Sequence, residues 1–88
     1  MTESSRYSAE MSREKAGEKV DKLIETVHSI RLEKGISHEK LAQMTGLNRA
    51  TISLTESRKS QPTVLTLIRM TDALGIRLKD LIEQSEIE

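Results

Sequence analysis

From Val20 to Ile30 the apolar positions fall at 20, 23, 24, 27 and 30, the i, i+3, i+4, i+7 stripe of an amphipathic helix. Lys34 suits the negative end of that helix, and Gly35 reads as the left-handed residue that stops it. Ser37 reads as the N-cap of a short second helix carrying Leu41, Ala42 and Met44 and closing at Gly46. Asn48 caps a third helix, from Arg49 to about Glu56, with Ile52 facing inward. Ser57 to Gln61 contains no apolar residue and reads as a loop. Pro62-Thr63 opens a fourth helix through Leu65, Leu67, Ile68, Met70 and Leu74, ending at Gly75. Ile76 and Leu78 lead into a last short helix with Leu81 and Ile82. No window alternates with the two-residue period of a strand, so the expected fold is all-α with five helices, Met44 and Met70 filling its core.

Apolar density sets the boundaries. Residues 1–19 hold five apolar side chains, whereas residues 20–82 hold twenty-five. A compact domain is therefore expected over 20–84, beginning near Val20 and followed by an acidic tail at 85–88. Residues 1–19 read as an arm, either disordered or extending the first helix when packed on something.

Composition narrows the chemistry. A chain of 88 residues supports one small domain, and the absence of Cys rules out a disulfide framework or a thiolate zinc site. The longest apolar run is two residues, too short for a membrane span or a signal-peptide core, and a cytoplasmic location is expected. There is no nucleophile–base pair, glycine-rich phosphate loop or paired carboxylate site, so neither catalysis nor a cofactor or metal is expected. His28 and His38 lie ten residues apart with no carboxylate pattern around them, and His28 reads as a helix-surface residue. The formal net charge of zero conceals an asymmetry. Residues 1–79 carry all 14 bases and ten of the 14 acids, while the last nine carry Asp80, Glu83, Glu86 and Glu88 alone. Between Lys40 and Arg69, five bases face the single acid Glu56, a mid-chain basic surface compatible with phosphate.

The informative stretch is His38 to Glu56, HEKLAQMTGLNRATISLTE: two short helices joined by a tight turn containing a glycine. Ala42 is small where the second of these helices crosses close above the first. Gly46 supplies the positive φ of the turn, and Leu47 and Ile52 bury the inner side. With IRLEKGISHEKLAQMTGLNRATIS, the run Glu56…Lys59…Pro62-Thr63 and the closing LGIRLKDLI, the chain resembles the Cro/cI repressor (XRE-type) helix-turn-helix family from about Leu23 to Ile82.

The resemblance implies a five-helix, lambda-repressor-like domain, usually a homodimer, whose third helix enters the major groove of a pseudo-palindromic operator in double-stranded DNA. Carried onto this chain, it places Arg49, Ala50, Ser53 and Leu54 toward base edges. Arg49 suits guanine, and Ala50 and Leu54 suit thymine methyls. Ser37, His38, Asn48, Thr51, Ser57, Arg58, Lys59 and Ser60 would position the phosphate backbone. A dimer surface is expected on the last helix, at Leu78, Leu81 and Ile82. The implied function is a sequence-specific transcriptional regulator, a repressor or controller protein of its own or an adjacent operon. The alternative is an antitoxin or adaptor whose main role is to bind a protein partner. The chain departs from the family in three places. Thr55 stands where a large apolar residue is usual, beside an outward Leu54, so that either Leu54 contacts DNA or helix four, or the helix is rotated. Lys40 replaces the usual acidic partner of Arg31, which is expected to turn to Glu56 instead. The arm has no family counterpart.

Overall fold

A computed structural model describes residues 8–87. Five helices follow one another: α1 (Ala9–Glu33), α2 (His38–Thr45), α3 (Arg49–Glu56), α4 (Val64–Leu74) and α5 (Leu78–Ser85). Short polar side chains begin the first four. Ser8, Ser37, Asn48 and Thr63 each accept a hydrogen bond from a backbone N–H three residues on, satisfying a donor the helix itself leaves open. Arg77 precedes α5 without a side-chain cap; its guanidinium instead pairs with Asp80 in the first turn, Nε to Oδ2 at 3.1 Å. At the other ends, Gly46 closes α2 with φ +76° and donates its N–H to the Ala42 carbonyl at 2.9 Å.

Each helix contributes one apolar face to a single core of Ile24, Val27, Ile30, Leu41, Ala42, Ile52, Leu67, Met70, Leu74 and Leu81. The most extensive packing is between α1 and α5, and between α2 and its neighbours α3 and α4. This leaves the eight-residue α3 across the surface of the bundle, supported from beneath by α1 and α2.

Four expectations need correction or extension. Met44 is not core; it stands exposed at the end of α2, while Met70 is fully buried. Leu81 is sealed inside the protomer and Leu78 packs half-buried against the core, so of the three residues expected to form a dimer surface only Ile82 is open. The amphipathic period brings Leu81 and Ile82 together in sequence, but they lie on different sides of α5 and only one can face out. Helix α1 starts eleven residues before the apolar stripe, with Ser8 as its cap and every side chain from Ser8 to Ala16 exposed. The part of the arm before Ser8 lies outside the described residues. Finally, the outward Leu54 does stand beside a buried Thr55, which shares the inner side of α3 with Ile52.

Thr55 leaves space behind. A partly open concavity of about 50 Å³ lies there, with Val20, Ile24 and Pro62 on its apolar side and Asp21, Arg58, Ser60 and Gln61 on its polar side, and a larger apolar side chain would gain contact with the former. Thr55→Ile should therefore raise the unfolding free energy by about 1 kcal/mol in urea titration. A loss of similar size would show that the space cannot accept the added carbon.

Candidate nucleic-acid interface

Helix α3 is fixed at its base by one carboxylate. Glu56 ends the helix, where an acid is disfavoured by the helix dipole and must be compensated. Arg31 of α1 meets it side-on, Nε to Oε2 at 2.7 Å and Nη2 to Oε1 at 2.9 Å. The remaining Arg31 nitrogen, Nη1, donates to the Ile36 carbonyl at 2.7 Å, so the same guanidinium also ties down the turn between α1 and α2. The Arg31–Glu56 pairing expected from the missing acid at Lys40 is thus present, 25 residues apart in the chain.

Two further donors reach the same oxygen. His28 Nδ1 lies 2.7 Å from Glu56 Oε1, and His38 Nε2 lies 3.0 Å from it. An ionised carboxylate only accepts, so both imidazole nitrogens carry their proton toward Glu56. His28 is therefore more than a helix-surface residue, and the carboxylate that the sequence did not associate with the two histidines lies between them. Periodicity within α1 or α2 could not reveal this, because Glu56 arrives from a third helix. The Glu56 side chain is 4% exposed. Burial by itself would raise its carboxyl. The hydrogen bonds from Arg31, His28 and His38, with the charge of Arg31, outweigh it and hold the group down at about 2.

Above this base, the outer face of α3 presents Arg49, Ala50, Ser53 and Leu54, all exposed. Arg49 has no partner among the described residues, so its five donors are free. It lines an open concavity of about 490 Å³ with Arg31, Ser37, His38 and Glu39, where the N-terminus of α2 contributes its unpaired backbone donors. The residues expected near the phosphate backbone divide by their partners. Ser37 Oγ is occupied in capping α2, and His38 Nε2 is committed to Glu56. Asn48 Oδ1 accepts from both the N–H and the hydroxyl of Thr51, at 2.8 and 2.9 Å, leaving the Asn48 amide NH₂ as its available donor. Ser57 Oγ bonds back to the Leu54 carbonyl. Lys59 and Ser60 are exposed, with side chains unpaired among the described residues. Arg58 is paired instead with Glu25 of α1.

The profile of the helix-turn-helix family matches residues 27–81, a span that runs from the base of α1 through all of α2, α3 and α4 into α5. No curated protein and no solved structure matches the chain. Among the described residues no helix is long and apolar enough to cross a membrane, and no group of three or more His, Cys, Asp or Glu side chains is arranged to hold a metal ion.

The Glu56 cluster makes stability depend on acid in a defined direction. Its folded value of about 2 lies below the unfolded 4.5, so the unfolded chain takes up the proton first as pH falls. The stabilisation is fully present above about pH 4.5, is lost progressively toward pH 2, and amounts to roughly 3 kcal/mol when fully expressed. Urea midpoints should fall steeply through that window in the parent protein. In Glu56→Gln, destabilised already at neutral pH, that part of the fall should disappear.

Proposed function

Because the chain belongs to the helix-turn-helix family of the Cro/cI (XRE) type, it is a DNA-binding transcription regulator, and we propose that it acts as a homodimeric repressor of its own or an adjacent operon. The observation that carries this reading is the outer face of α3, where four exposed residues take no part in the core and the one arginine among them has no intramolecular partner. Arg49 reads guanine through O6 and N7, a bidentate contact worth about 1–3 kcal/mol of discrimination. Ala50 and Leu54 offer apolar contact to thymine methyls, and Ser53 a short hydroxyl. The concavity beside Arg49, with the N-terminus of α2 and the Asn48 amide, receives backbone phosphate, and Lys59 extends that contact beyond α3.

A dimer places two such helices in successive major grooves about 34 Å apart, and it represses by occluding the promoter. With Leu81 sealed, the surface for the second copy is assigned to the exposed side of α4. There Val64 is 67% exposed and Leu65 62%, with Ile68 one turn further on. These three are a larger apolar offering than Ile82 alone, and burying them against themselves removes a surface that water disfavours.

Selection from a randomised duplex pool should enrich a two-fold-symmetric site, and Arg49→Ala should weaken its binding by roughly 5- to 150-fold while relaxing preference at one base pair per half-site. Failure to enrich any sequence would turn attention to the alternative, an antitoxin or adaptor whose main role is to bind a protein. Separately, Leu65→Asp should shift sedimentation at tens of micromolar from dimer to monomer. It should leave a half-site bound as before while weakening the full palindrome. An unchanged sedimentation coefficient would place the dimer surface elsewhere.

A further inference from the structure

Among the described residues only Arg58 and Glu86 hold a positive φ without being glycine. Arg58 stands at φ +65°, one residue beyond the Ser57 cap of α3, where the Lys59 N–H returns to the Leu54 carbonyl at 3.0 Å and the Arg58 N–H to Thr55 at 3.1 Å. The ends of α1, α2 and α4 solve the same problem with Gly35, Gly46 and Gly75. At α3 a strained arginine occupies the place instead, so its side chain is where a role must be sought. That side chain reaches back across the fold to α1, Nη2 to Glu25 Oε1 at 2.8 Å, with the two side chains 44% and 58% exposed. Glu25 and Arg58 also line one open concavity with His28 and Glu56, so solvent and solutes reach the pair.

We infer that Glu25 is a built-in competitor for DNA, occupying the guanidinium of Arg58 in the free protein as a phosphate would in the complex. This rests on the DNA-binding reading of α3. A carboxylate and a phosphate oxygen ask the same thing of a guanidinium, and an arginine already paired gains less from a phosphate than a free one. The pair is open enough to exchange one anion for the other. It also holds the guanidinium against α1 while no DNA is present. The effect of Glu25 is to lower affinity, by the same factor for any duplex whose phosphate Arg58 meets.

Because phosphate contact is independent of sequence, the probe is a mixed-sequence duplex, titrated by anisotropy at about 50 and about 200 mM salt. Glu25→Gln should tighten binding by about two- to five-fold at the lower salt and steepen the salt dependence by about one released ion. Arg58→Gly should melt at higher temperature than the parent, showing its fold intact and its strain relieved, yet bind more weakly with a shallower slope. Adding Glu25→Gln to Arg58→Gly should then change nothing further. Binding by Glu25→Gln that is unchanged or weaker overturns the inference. So does an equal gain in the Arg58→Gly background, which would mark Glu25 as a general negative charge. If the parent protein binds no duplex even at the lower salt, the DNA-binding reading itself fails and the inference falls with it.

Discussion

The arrangement depends on a carboxylate placed where a helix would rather have a cation. Glu56 ends α3 against the dipole, and it is tolerated there because one guanidinium and two imidazoles from α1 and α2 converge on it. A helix of eight residues has no stability of its own in water, so its position is lent by what it touches. Two buried side chains, Ile52 and Thr55, press it onto the bundle, and the Glu56 cluster fixes its far end. Within the cluster the buried charged pair is Arg31 and Glu56, and removing either leaves the other's charge buried without its counter-ion.

The consequence reaches the outer face directly. Arg31 bonds both the end of α3 and the Ile36 carbonyl in the turn before α2, so the two helices of the motif are located by one planar side chain. Lysine could not do this, since a point charge lacks the fork that addresses two oxygens and a carbonyl together. Arg49 and the N-terminus of α2 therefore keep a defined separation around their shared concavity without contacting one another through side chains.

Much of this was legible in the chain. The capping residues Ser37, Asn48 and Thr63 and the glycines at 35, 46 and 75 mark helix boundaries by backbone chemistry that acts locally, and the structure places the helix ends beside them. The Arg31–Glu56 pair was legible for a different reason: the family resemblance exposed a missing partner at Lys40. What escaped detection depends on three helices meeting. His28 and His38 share Glu56 across 28 and 18 residues, a closeness no spacing encodes. Leu81 and Ile82 are equally apolar, and only the crossing of α5 over α1 determines which is buried. The first turns of α1 have no apolar stripe to announce them, and they follow from propagation of an already nucleated helix rather than from burial.

The division of labour within α3 also bears on how such a chain can change over evolutionary time. Its inward residues carry the fold, while Arg49, Ala50, Ser53 and Leu54 contribute nothing to the core. Substitutions at those four positions leave the unfolding free energy nearly unaltered, because exposed residues without packing or capping duties lie within about 0.5 kcal/mol of neutral. On the proposed reading of this face, a lineage can drift to a different operator through folded intermediates, keeping one scaffold while exchanging its address.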